Sequence, residues 1–175
     1  NVTITDLQNE LDMGRGTLYY YFKDQDELFR TCVETYIIEP KQKVLNSVTE
    51  DTCVEEMIQA MMQYLNHLKE ALMTFEHKEI NTGNVNSIMF TAYGRFPALH
   101  RKAQRLALKE VELWRKAIYN SQRAGIIKRG IDVDQIALMF AQIKNSYDNG
   151  LGRAQMNFHL LEKTYYALYN LLKNE

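Results

Sequence analysis

The chain has 175 residues, 46% apolar and 25% charged, the balance of a folded globular protein rather than a disordered tail. No run approaches the ~18 apolar residues of a membrane span, and no charged-then-apolar leader reads as a signal peptide. The net charge of −1 hides an uneven distribution: residues 1–40 hold three basic against eight acidic residues, whereas residues 101–129 hold nine basic against two acidic.

With two prolines and eight glycines the chain has few breakers, so long helices are expected. Thr3 followed by Asp6 reads as a hydroxyl cap with an acid at the third helical position, and Ile4, Leu7 and Leu11 supply an apolar stripe. Asp12-Met13-Gly14 interrupts that helix, and a second short one is expected from near Gly14 through Tyr21. Lys23-Asp24 breaks it, and Asp24 with Glu27 forms a further capping pair. The following helix carries Leu28, Val33, Tyr36 and Ile37, and ends or bends at Glu39-Pro40.

Thr52 with Glu55 opens a helix whose apolar positions, Val54, Met57, Ile58, Met61, Leu65, Leu68, Leu72 and Phe75, keep a clear helical period. Residues 76–84 read as a polar loop, residues 85–93 as a short helix ended by Arg95-Phe96-Pro97. A long basic amphipathic helix is expected over residues 98–124, with Gly125 as its C-terminal cap. Asp132 caps a helix over residues 133–147, residues 149–152 form a loop or frayed end, and Phe158–Leu172 closes the chain. Nothing alternates with period two over any length, so the fold class is all-α.

The stretch MGRGTLYYYFK, Met13 to Lys23, carries the most specific chemistry. Two short helices joined by a tight turn, the second rich in basic and hydroxyl residues, have the form of a helix-turn-helix. Gly14 and Gly16 let backbone approach DNA closely, the Arg15 fork can read a guanine edge, and Thr17 can meet a base methyl or a phosphate. Leu18 and Phe22, four apart, anchor the helix to its own domain. Tyr19, Tyr20 and Tyr21 point about 100° apart, so at least two phenols face outward, where a hydroxyl can hold a phosphate. Lys23 and, at the first helix, Thr3 complete the candidate DNA contacts.

Residues Thr3 to Leu7, the MGRGTLYYYFK stretch and Asp26-Glu27-Leu28 together resemble the DNA-binding signature of the TetR family of bacterial repressors. Family members usually carry a helix before this point, so the module is expected to be truncated here. The resemblance implies a partial DNA-binding domain over residues 1–40 and a ligand-binding and dimerisation domain over residues 41–175. It implies a homodimer, double-stranded operator DNA as partner, a small apolar or aromatic effector, and repression of nearby genes. Extra apolar residues outside the main stripe of the last helix, Leu160, Ala167 and Leu171, point to dimerisation through helices near 133–149 and 158–173.

The candidate effector contacts are Met57, Met61, Tyr64, Leu65, Phe75, Tyr93 and Trp114, whose side chains suit plain core and an adaptable apolar pocket alike. The basic residues of the long helix read as a solvated face. Four scattered histidines, and Cys32 and Cys53 without metal-type spacing, give no metal site, and two such thiols are expected reduced in a cytoplasmic protein. No nucleophile elbow or phosphate-binding glycine loop is present, so neither an enzyme nor a cofactor is expected. Two alternatives stand beside the regulator: a ligand-sensing helical dimer without DNA binding, and a helical enzyme acting on an apolar small molecule.

Overall fold

A computed structural model of the chain describes residues 4–10, 16–73, 82–149 and 158–174. They are helical nearly throughout: α1 (Ile4–Glu10), α2 (Thr17–Tyr21), α3 (Gln25–Val33), α4 (Glu39–Ser47), α5 (Val54–Met73), α6 (Thr82–Arg95), α7 (Pro97–Arg123), α8 (Val133–Asn149) and α9 (Phe158–Leu172). The one strand-like feature among them is an isolated antiparallel bridge between Ile127 and Lys173. The fold class is all-α, as the periodicity indicates.

Local chemistry fixes several helix ends. Asp24 accepts the Glu27 backbone N–H at 2.8 Å, and the Glu27 carboxylate reaches back to the Lys23 N–H at 2.7 Å. Two otherwise orphaned donors are thereby satisfied at the start of α3. Helix α5 starts one step later than its expected Thr52–Glu55 pair: Glu56 accepts the Cys53 N–H at 2.7 Å, and Thr52 Oγ1 instead accepts from the Thr49 N–H at 3.0 Å. The next donor, Val54 N–H, goes to the fully buried Ser121 hydroxyl of α7 at 3.0 Å, tying the two helices at that end. Asp132 accepts the Gln135 N–H at 3.1 Å and caps α8 as expected.

Gly125 ends α7. At φ +72° it takes the left-handed conformation, its N–H donating to Gln122 O at 3.1 Å and that of Ile126 to Ser121 O at 2.9 Å. This is the Schellman pattern, which satisfies carbonyls the helix leaves open.

The largest departure lies at Pro40. Instead of stopping, the chain runs helically from Gln25 to Ser47 by passing through a π-helical turn, Glu34–Ile38. Proline has no N–H to donate, and its ring crowds the carbonyl four residues back. A wider turn just before it accommodates both, with the Glu39 N–H reaching back five residues to Glu34 O. Two smaller differences follow: α6 begins at Thr82, inside the expected polar loop, and α8 continues to Asn149.

The core is built on α5, whose Val54, Met57, Ile58 and Met61 are fully enclosed and Leu65 and Leu68 nearly so. It packs against α4, α7 and α9, while α7 and α8 make the most extensive helix pair. Between α7, α8 and α9 the rings of Trp114, Phe140 and Tyr165 stack nearly parallel, with centroids 4.5 Å apart for Trp114–Phe140 and 5.8 Å for Trp114–Tyr165. On α8 the buried face is Ala137, Phe140, Ala141 and Ile143, whereas Met139 is 51% exposed. Small alanines allow the close approach of α7 that a methionine would block.

Charged residues of both regions find partners across the fold. Lys102 of α7 pairs with Glu34 at 2.6 Å, Lys116 with Glu50 at 2.9 Å, and Arg95 with Asp26. Lys109 donates to Asn46 at 2.6 Å, and Arg115 pairs with Asp134 at 2.6 Å. The basic face of α7 is thus solvent-facing but stitched to its neighbours. Each such exposed pair contributes about 0–1 kcal/mol.

Candidate DNA-binding face and ligand cavity

Helix α2 is held by one buried side chain, Leu18, with Phe22 half-buried four residues on. The Tyr20 N–H donates to Gly16 O at 3.1 Å and Phe22 N–H to Leu18 O at 2.9 Å, closing two turns. Gly16 occupies the N-cap position in ordinary right-handed backbone (φ −94°, ψ −13°), one residue before the helix. All three tyrosines face out: Tyr19 is 57%, Tyr20 82% and Tyr21 66% exposed. Tyr20 and Tyr21 meet edge to face at 5.0 Å, which holds the two phenols side by side. Thr17 is half-buried and Lys23 exposed, so Gly16, Thr17, Tyr19, Tyr20, Tyr21 and Lys23 share one short segment. Thr3 and Arg15 lie outside the described residues.

A cavity of about 480 Å³ lies among the π-turn, α4, α5, α6, α7 and α8. Its apolar wall comes from Ile37 and Ile38 of the π-turn, Tyr64, Leu65 and Leu68 of α5, and Met89 of α6. The wide turn explains how Ile37 and Ile38, adjacent in sequence, both reach it; Tyr36 stays 46% exposed. Of the candidate effector contacts, Tyr64, Leu65 and Tyr93 line this cavity. Met57, Met61 and Trp114 do not, being enclosed in the core with no exposed surface, and Phe75 lies outside the described residues.

Tyr93 stacks on His100 with centroids 4.9 Å apart, and burial pushes its phenol pKa up. Two residues on, Arg95 pairs with Asp26 of α3, its guanidinium lying 5.6 Å from the Phe29 ring and 5.9 Å from that of Phe96. Helix α6 therefore touches the cavity with one turn and α3, the helix that follows α2, with the next.

The same cavity is lined by a buried ion-paired group. Glu110, 1% exposed, accepts from Lys144 Nζ at 2.6 and 2.5 Å and from Lys41 Nζ at 2.7 Å. The three residues come from α7, α8 and α4, and all three line the cavity. Burial works against the Glu110 carboxylate, yet the two ammonium groups more than offset it and hold its pKa below the ordinary value. Burial dominates at Lys144, whose amine is pushed down to about 8 despite Glu110. Two cations share one anion in a largely apolar surround. Nearby, the Tyr165 hydroxyl and the Trp114 indole N–H are buried without a hydrogen-bond partner among the described residues.

A signal for this triad exists in the sequence. Glu110 falls midway between Leu106 and Trp114 at helical spacing, Lys41 between Ile37 or Ile38 and Val44 or Leu45, and Lys144 four residues after Phe140. Each is a charge on its own helix's apolar stripe, where an unpaired charge would be prohibitive. Three such residues on three helices point to one another.

Among the described residues, no helix is long and apolar enough to cross a membrane. Comparisons of the chain with protein-family models, with curated proteins and with solved structures find no match.

Proposed function

We propose that the protein is a ligand-responsive transcriptional regulator of the TetR type, which holds operator DNA through α2 and releases it when a small effector fills the cavity. The observation that carries this reading is the row of three exposed tyrosines on a helix of five residues, flanked by Gly16, Thr17 and Lys23. Exposing three large rings together has no folding benefit, whereas phenol hydroxyls beside a lysine suit a phosphate backbone. Arg15, immediately before this segment, supplies the base-reading fork.

Homodimerisation is part of the reading. Leu138 and Met139 on α8 and Leu160 and Leu171 on α9 are 42–74% exposed, apolar area that a second copy would cover. A two-fold pair would set two α2 helices for a palindromic site with half-sites about 34–36 Å apart, or a multiple of that. Cytoplasmic residence follows from the same role.

The route from cavity to DNA has two arms. Ile37 and Ile38 belong to the continuous helical path that begins at Gln25, directly after α2, while Tyr93 is two residues from the Arg95–Asp26 pair. An effector that favours one spacing of the recognition helices needs a coupling of only about 1–3 kcal/mol to weaken operator affinity 5–150-fold.

A mobility shift on the DNA upstream of the protein's own gene tests the reading. The protein should retain that DNA in a salt-dependent way, and Tyr20→Ala, which touches no core, should abolish retention without changing stability. Retention by neither wild type nor any salt condition would sink it. Linkage adds a second check: saturating operator must weaken effector binding by the same factor that effector weakens operator.

A further inference from the structure

We propose that the cavity binds an amphiphilic monoanion, with its apolar body against Ile37, Leu65 and Met89 and its carboxylate, or a group of like charge, on the ammonium groups of Lys41 and Lys144. The inference deepens the regulator reading and rests on it for the cavity's role.

Charge is the first ground. Glu110 is the sole acid among the described residues that line the cavity and faces two lysines, so this cluster carries a net positive charge. A buried charge is stable only when compensated, and one carboxylate cannot serve two ammonium groups fully. Both lysines converge on the one carboxylate: Lys144 Nζ meets both Glu110 oxygens, at 2.6 and 2.5 Å, and Lys41 Nζ lies 2.7 Å from Oε2. Each ammonium has three N–H donors, so both retain capacity for an incoming anion.

Shape is the second ground. A cavity of about 480 Å³ lies in the range that encloses small drug-sized molecules, and it pairs a broad apolar wall with a few convergent polar groups at one end. Asn86, Gln104 and Gln142 add neutral polar groups, and among the described lining residues no second acid opposes an anionic guest. A cationic guest would meet two ammonium groups, and an uncharged one would leave the excess charge as it stands.

Position is the third. Lys41 belongs to α4, on the path that runs back to α2, and Lys144 to α8, one of the two helices of the proposed dimer interface. A carboxylate that takes over part of Glu110's role alters the ion-paired cluster that joins these elements through α7.

Calorimetry on the full chain with decanoate and decanol, and with naphthoate and naphthol, tests the proposal. Each acid should bind about tenfold more tightly than its alcohol, the contribution of one charge-assisted hydrogen-bonded contact. Lys144→Met leaves the Glu110–Lys41 pair intact and should bring the acids down to the alcohols' affinity while leaving the alcohols unchanged. Lys41→Met should act the same way and serves if the first variant does not fold. Acids no tighter than alcohols, no binding by any of the four, or an acid preference that survives both substitutions would overturn the proposal. A mobility shift with the same compounds separates it from the regulator reading. Acids that bind without loosening DNA sink the regulator and leave the anion site standing; release by alcohols as readily as by acids sinks the anion site.

Discussion

Replacing Glu110 by Gln preserves side-chain size and removes the charge that two buried lysines share. The cost can be worked from the site. Without its partner Lys144 must give up its proton, and with its pKa pushed down to about 8 that costs on the order of 1 kcal/mol near pH 7. The lost contact to Lys41 is a hydrogen bond between charged groups, about 1.5–3 kcal/mol. Together these give a loss of about 3–4 kcal/mol, within the about 3–5 expected when one member of a buried pair is removed. Lys144→Met differs in kind, because it leaves Glu110 and Lys41 as a neutral pair and puts an apolar chain in an apolar surround. Its cost should stay below about 1 kcal/mol, or turn to a gain. The two also differ in pH dependence. A base whose folded pKa lies below its unfolded value binds fewer protons when native, so wild-type stability should climb as pH rises from about 8 towards 10.5. Lys144→Met lacks that rise, and the Glu110→Gln deficit should shrink to about 2 kcal/mol near pH 9.5. Urea unfolding followed by far-UV circular dichroism at one fixed protein concentration reads all of this. A Glu110→Gln variant within about 0.5 kcal/mol of wild type at about pH 7, or a Lys144→Met variant less stable than it, would refute the reasoning.

Glycines should divide by backbone conformation: Gly125→Ala, at φ +72° with open space around it, should cost about 1–2 kcal/mol. Gly94→Ala, on exposed helix α6 with nothing within 4 Å of the added methyl, should instead stabilise by about 0.5–1 kcal/mol; paired urea titrations compare them. Trp114→Ala removes the largest ring of the three-ring cluster and should cost about 3–5 kcal/mol by the same measurement. Arg95→Ala should cost only about 0.5–1 kcal/mol, since both members of the Arg95–Asp26 pair are about half exposed, and the difference should shrink in high salt.

Much of this fold can be read from spacing alone. The stripes of α5 and α9, the Asp24 and Asp132 caps and the Gly125 stop are local patterns, each set by residues within a few positions of one another. The exposed tyrosines are legible for the same reason, since successive residues on a helix cannot all point inward. Pro40 was legible as a perturbation, but not as a π-turn: whether a helix stops, kinks or widens depends on what packs against Ile37 and Ile38. Apolar type could not separate Met57, Met61 and Trp114, which fill the core, from Tyr64, Leu65 and Tyr93, which line the cavity. That distinction depends on where five helices fail to close. The triad is not a local pattern: Lys41, Glu110 and Lys144 are 34 or more residues apart, and only the packing of three helices brings them together.

Trp114, the single tryptophan of the chain, lies one helical turn beyond Glu110 on the same face of α7. Its ring is stacked within 10° of parallel on Phe140 and 16° on Tyr165, so the excited states of three chromophores from three helices are coupled. Such an array is optically asymmetric, and its near-ultraviolet dichroism depends on ring separation rather than on helix content. The emission of an indole shielded from water also shifts when a charge about one turn away moves. The protein thus carries an intrinsic optical gauge beside the cavity, able to register a guest at the lysines without any label.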